Sequence, residues 1–152
     1  SVGVKKLGLE LGGNAPFIVF DDADVDAAVE GAMVSKFRNM GQTCVCANRI
    51  YAQDNIHDVF VERLAQKVSA IKVGSGISAG ISHGPLINEA AIAKVEEHIE
   101  DAIKHGAKLI VGGKRHELGG NFFEPTLLAN VPISALVTRE ETFGPIAPVY
   151  RF

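Results

Sequence analysis

The chain has only two cysteines, Cys44 and Cys46, separated by one residue. Two thiols so close together are not a secreted disulfide framework, and a reducing compartment, the cytoplasm, fits better. Excess charge is also missing: 15 basic against 18 acidic residues leave a net charge of −3. Such a balance provides no electrostatic footprint for nucleic acid. Apolar runs are only a few residues long, so neither a signal peptide nor a membrane span is expected. Internal repeats and low-complexity tracts are absent. Zinc-like spacing is lacking too. His57, His83, His98, His105 and His116 form no ligand pattern with the two thiols, and no metal is expected. Gly74-Ser75-Gly76-Ile77-Ser78-Ala79-Gly80 follows a helical pattern rather than a strand and does not fit a dinucleotide fingerprint. Gly112-Gly113-Lys114 lacks the rest of a phosphate loop and reads as a turn.

What remains is ordinary globular material. With 152 residues, 47% of them apolar, the chain can build one domain around a real core. Apolar runs at Lys6–Leu11 and Pro16–Phe20, bounded by Gly12-Gly13 and Asp21-Asp22, read as buried strands. Asp22 or Asp24 caps a helix from Val25 to about Asn39, which Gly41 terminates. Val45–Ala52 reads as a strand. Ile56, Val59, Phe60, Leu64, Val68 and Ile71 mark a second helix, and Glu89–His105 a third with Gly106 as its stop. Leu109–Val111, Thr126–Ala129 and Ile146–Phe152 read as further strands, with loops at Gly74–Gly84 and Gly119–Pro125. Strands alternating with long helices predict an α/β fold: a doubly wound, mostly parallel sheet with helices on both faces. Leu9, Phe17, Val19, Ile50, Ile110 and Val149 are expected in its core.

The chemistry concentrates in three short segments. Cys44 follows a Gly41-Gln42-Thr43 turn. A free cysteine is usually a small buried hydrophobe, but a thiol in such a turn is also placed to attack carbonyl carbon as thiolate. Glu10 is a lone carboxylate in the apolar run Leu7–Leu11. Apolar surroundings would poise it as a base, whereas a water-facing carboxylate at a strand end would do nothing. Gly12 and Gly13 let the backbone pass close to a ligand. The third segment, Arg139-Glu140-Glu141-Thr142-Phe143-Gly144-Pro145, adds acids and a ring; its bland reading is a surface acid pair and a core Phe.

In order and in rough spacing, these segments resemble the aldehyde dehydrogenase superfamily, from about Lys5 to Phe152. Leu9-Glu10-Leu11-Gly12-Gly13-Asn14-Ala15-Pro16-Phe17, Phe37-Arg38-Asn39 and Gly41-Gln42-Thr43-Cys44-Val45-Cys46 are most similar to the succinate-semialdehyde branch. Asn14 stands where many other members carry Lys. The resemblance implies an NAD(P)-dependent oxidation of a small-molecule aldehyde. Cys44 forms a thiohemiacetal and then a thioester, and Glu10 activates the water that hydrolyses it. It further implies that Glu141, Phe143 and Gly12 contact NAD or NADP. Arg38, on sequence alone a solvated helix-end cation, would bind the substrate's distal carboxylate. Cys46 is either a buried neighbour or, as the branch implies, a redox partner that bridges to Cys44. Whole members of the family are considerably longer, with a separate nucleotide-binding domain, and form homo-oligomers. Residues 1–152 therefore read as the catalytic, thiol-bearing segment, inactive in isolation. A cysteine esterase without cofactor and a non-catalytic interaction module are the competing functional classes.

Overall fold

The computed structural model describes residues 3–152. Five strands form one sheet in the order β1-β2-β5-β4-β3. They are β1 (Ala15–Val19), β2 (Ala47–Ala52), β3 (Lys108–Val111), β4 (Thr126–Ala129) and β5 (Ile146–Arg151). β1, β2, β5 and β4 pair in parallel, and β3 joins β4 antiparallel. The helices are α1 (Val25–Phe37), α2 (Asp54–Ser69), α3 (Glu89–Lys104) and the single turn α4 (Leu136–Arg139). Their starts follow from capping chemistry. The Asp24 carboxylate accepts from the Asp26 and Ala27 amides at 3.0 and 3.1 Å, and the Asn88 side chain from Ala91 at 2.9 Å. Such caps contribute about 1 kcal/mol each.

The sheet buries both faces, as its strand alternation demands. Leu127 and Ala129 of β4 with Ala147 and Val149 of β5 pack against Val29, Phe60 and Leu64 of α1 and α2. Leu128, Ile146 and Tyr150 point the other way, to Ile92, Val95 and Ile99 of α3 and Val137 of α4. No helix among the described residues is long and apolar enough to cross a membrane.

Two expectations need correction. Lys6–Leu11 forms no strand, and Leu7, Leu9 and Leu11 are 80%, 69% and 71% exposed. Their period-two spacing is a strand pattern, but a strand needs a ladder. β1 pairs only with β2, and that ladder begins at Ala15. Ile110 is 41% exposed because β3 is the outer antiparallel strand, beyond full cover by the helices. Phe17 is half-buried, while Val19, Ile50 and Val149 lie in the core as expected.

Candidate active site

α1 ends at Phe37, two residues short of its expected end, and the chain then turns sharply. Asn39, Met40 and Gly41 all take left-handed backbone, with φ of 51°, 57° and 73°. Two of these are not glycine, and such strain persists only where surroundings enforce it. Met40 is buried in the α3-side core. The Gln42 side chain donates to the Asn39 carbonyl at 3.2 Å and accepts from the Ile87 amide at 2.9 Å. A Cβ on Gly41 would collide with the Gly144 carbonyl, so the thiol loop and the third segment touch there.

The enforced loop presents the two thiols differently. The Cys46 amide donates to the Thr43 carbonyl at 3.1 Å, closing a turn with Cys44 in its middle. Cys44 is exposed; Cys46 is buried. Cys46 Sγ lies 2.7 Å from Thr43 Oγ1 and donates to the Lys36 carbonyl at 3.5 Å. Both cysteines are free.

Glu10 reaches the same place from the N-terminal segment. Asn48 Nδ2 donates to the Gly13 carbonyl at 3.1 Å, Arg49 to the Asn14 carbonyl at 3.0 and 2.7 Å, and Asn14 Nδ2 to the Thr138 carbonyl at 3.1 Å. Gly13 lies so close to the Cys44 carbonyl that a Cβ would overlap it. The apolar enclosure expected around Glu10 is not formed: Glu10, Leu9 and Leu11 are all exposed. The acid faces an open cleft of about 490 Å³, lined by Glu10, Leu11, Gly12, Cys44, Glu141 and Phe143 with Gln42 and Thr43. Arg38 is not among the lining residues. It is exposed just after α1 and makes no hydrogen bond or ion pair among the described residues.

The third segment contributes Glu141 and Phe143. Phe143 is 40% exposed with φ of 53°. Between them, buried Thr142 shares a 2.9 Å hydrogen bond with His98 of α3. Burial, aided by the Lys94 cation, holds the His98 imidazole below its ordinary value and favours the neutral ring. Glu141 Oε1 is buried with no hydrogen-bond partner among the described residues, and the carboxylate's other oxygen packs on the Gly12 backbone.

A family model described as "Aldehyde dehydrogenase family" matches residues 1–152. The chain belongs to the aldehyde dehydrogenase family. It is 64% identical over 149 residues to the succinate-semialdehyde dehydrogenase (NADP+) of Escherichia coli, which covers 98% of this chain and 31% of that protein. Identity and coverage are the same for the glutarate-semialdehyde dehydrogenase of Pseudomonas aeruginosa. The crystal structure of succinate-semialdehyde dehydrogenase from Burkholderia pseudomallei superposes with a TM-score of 0.95 at 62% identity, covering 98% of this chain and 31% of that one. Lactaldehyde dehydrogenase from Escherichia coli still gives 0.89 at 44% identity over 94% of this chain and 30% of that one, so the shared fold does not choose the substrate. The chain thus spans about a third of the length of these relatives.

A nicotinamide cofactor fits the residues present. An orphaned buried carboxylate oxygen on Glu141 suits a ribose hydroxyl, and the bare Gly12 backbone lets that carboxylate sit against it.

Sequence reasoning passed over Lys36, which is fully buried beneath the cleft. Its signal was its position: four residues after Ala32 and seven after Val29, on the buried stripe of α1. Lys36 Nζ donates to Asn48 Oδ1 at 2.9 Å. Burial pushes the ammonium down to about 8, against the opposing pull of Cys46 and Glu141. Its unfolded value is near 10.5. Between these values the unfolded chain keeps a proton that the folded chain has released, so stability rises with pH across that window. The gap corresponds to about 3 kcal/mol. The unfolding free energy from urea titrations should rise between pH 7.5 and 10.5 for this chain relative to Lys36→Met by most of that amount. Parallel profiles would contradict the burial argument.

Proposed function

We propose that this chain carries the covalent chemistry of an NAD(P)-dependent aldehyde dehydrogenase acting on a small semialdehyde with a distal carboxylate, succinic semialdehyde first. The observation that carries the reading is the meeting of Cys44, Glu10 and Glu141 at one cleft, in a chain 64% identical to a succinate-semialdehyde dehydrogenase.

The Cys44 thiolate attacks the aldehyde carbon and a C–S bond forms. The backbone amide of Cys44 is a donor for the oxyanion of the thiohemiacetal. A nicotinamide cofactor would supply the hydride acceptor, so that loss of hydride from the adduct on Cys44 leaves a thioester. Glu141, for which the bare Gly12 backbone makes room, would accept hydrogen bonds from ribose hydroxyls, and the Phe143 ring would pack beside the nicotinamide. Glu10 takes a proton from water, the hydroxide attacks the thioester, the C–S bond breaks and the acid leaves. Hydride transfer depends on positioning, so the isolated chain, which spans a third of its relatives, is expected to produce no measurable NAD(P)H.

The test is a chimera in which this chain replaces the matching 149 residues of the Escherichia coli relative. Retained NADPH formation from succinic semialdehyde supports the reading. A folded chimera that only hydrolyses activated esters would replace it with the esterase.

Arg38 is the proposed reader of the distal carboxylate, since its guanidinium is exposed and has no partner to leave among the described residues. A charge-assisted contact is worth about 1.5–3 kcal/mol. In the chimera, Arg38→Ala should therefore lower kcat/KM for succinic semialdehyde by about one to two decades. Butanal, with no carboxylate, should be nearly unaffected. Equal losses for both would mean that Arg38 supports the thiol loop instead.

A further inference from the structure

Among the described residues no hydrogen bond holds Glu10, Leu11 or Gly12, and β1 pairs with β2 only from Ala15 onward. The first hydrogen bond beyond Glu10 is the one that Asn48 Nδ2 donates to the Gly13 carbonyl, at 3.1 Å. A bulge frees Asn48 to make it. Ala15 of β1 faces Ala47 of β2, but Pro16 faces Arg49, so Asn48 is the extra residue with no partner across the ladder. Its amide is oriented from behind. Both Asn48 and Lys36 are buried, and Lys36 Nζ donates to Asn48 Oδ1 at 2.9 Å. With the amide oxygen engaged by that donor, the NH2 faces the Gly13 carbonyl, which can only accept. Gly13 in turn lies so close to the Cys44 carbonyl that a Cβ would overlap it. One buried amide thus ties the segment that carries Glu10 to the turn that carries Cys44.

We propose that Asn48 is a positioning residue for deacylation: its side-chain amide, held by Lys36, fixes the Gly13 carbonyl and so sets where Glu10 stands relative to the acyl group on Cys44. The inference rests on the aldehyde dehydrogenase reading of the cleft, with Glu10 as the base. Glu10 is exposed and its segment has no ladder, so its reach is set by the nearest tether rather than by contacts of its own. The Cys44 turn does not depend on that tether. It is closed by the Cys46 amide on the Thr43 carbonyl and pinned by Gln42 on the Ile87 amide. The two halves of the reaction therefore separate. Attack by Cys44 uses a loop that is held independently, whereas activation of water needs Glu10 within hydrogen-bond reach. A displacement of about 1 Å in such a group can cost about a hundredfold.

The experiment follows a single turnover of succinic semialdehyde in the chimera at saturating NADP+. NADPH absorbance reports the first half, and acid quench with mass measurement reports decay of the acyl group on Cys44. The unmutated chimera and its Glu10→Gln variant come first. No turnover in the one, or no acyl accumulation in the other, would be a failure of the functional reading rather than of this inference. Asn48→Asp keeps the shape and the bond with Lys36, but puts an oxygen where the NH2 faced Gly13. It should slow acyl decay about tenfold or more while NADPH formation stays within about threefold of the parent. In the Glu10→Gln background the same substitution should change acyl decay less than about twofold, because the group it positions is gone. Unchanged decay, equal slowing of both halves, or the same factor in both backgrounds would overturn the proposal. Should Asn48→Asp not fold, Lys36→Met reaches the tether from its other end by releasing Asn48 Oδ1. It should slow acyl decay about threefold or more with NADPH formation unchanged, and unaltered decay would overturn the proposal as well.

Discussion

Cys44→Ser should abolish aldehyde oxidation in the chimera. The serine hydroxyl is nearly isosteric, and Cys44 is exposed in a turn, so the fold should not notice the change. The chemistry should. A thiol is a few per cent ionised near neutral pH and intrinsically very nucleophilic, whereas an alkyl hydroxyl is neither without a strong base. The cleft offers no histidine to activate it: the lining carries only Glu10 and Glu141 as titratable groups besides Cys44. Loss of the covalent nucleophile is expected to cost roughly four orders of magnitude or more in kcat. Steady-state NADPH production measures this directly. Turnover within tenfold of the parent would mean that attack does not come from residue 44.

Glu10→Gln should split the reaction at its second half. The amide keeps the shape of the side chain and cannot take a proton from water. Loss of a general base typically removes 10²–10⁴-fold, by the usual order of magnitude for such groups. Acylation and hydride transfer do not use this base in the proposed sequence. One equivalent of NADPH per active site should therefore appear in a rapid burst, followed by a much slower steady state. Stopped-flow absorbance resolves the two phases. A steady state equal to the parent's would remove Glu10 from the role of base. The exposure of Glu10 bears on this result, because its access to water is already open.

Local chemistry made most of the fold legible in the sequence. Asp24 and Asn88 cap α1 and α3 as their side chains allow, and the apolar stripe of α2 runs along its buried face. Strand positions in β2, β4 and β5 follow from short β-branched and aliphatic runs between turn residues. What failed was non-local. Leu7, Leu9 and Leu11 alternate like a strand, but whether a ladder exists is decided by a partner, which period-two spacing does not reveal. The direction of β3 is likewise a property of its pairing with β4.

The site divides in the same way. Cys44, Glu10, Gly12, Glu141 and Phe143, chosen from three separated segments, line one cleft. The supports beneath them were not visible. Lys36 was passed over: it sits in the last turn of α1, where a cation ordinarily faces solvent and complements the helix dipole, yet it is fully buried. The left-handed run Asn39–Gly41 was read as helix followed by a stop, because only Gly41 signals such backbone. Met40 adopts it because the core holds its side chain.

Cys44 as the acyl carrier is the central claim, and trapping the acyl group tests it most directly. The Glu10→Gln chimera is mixed with succinic semialdehyde and NADP+, quenched in acid and digested with trypsin. The peptide Asn39–Arg49 contains both thiols, so fragmentation must assign the adduct. The expected result is one succinyl group on Cys44, formed in step with the NADPH burst, and an unmodified Cys46. A succinyl group on Cys46, or an NADPH burst with no acylated cysteine, would contradict the account.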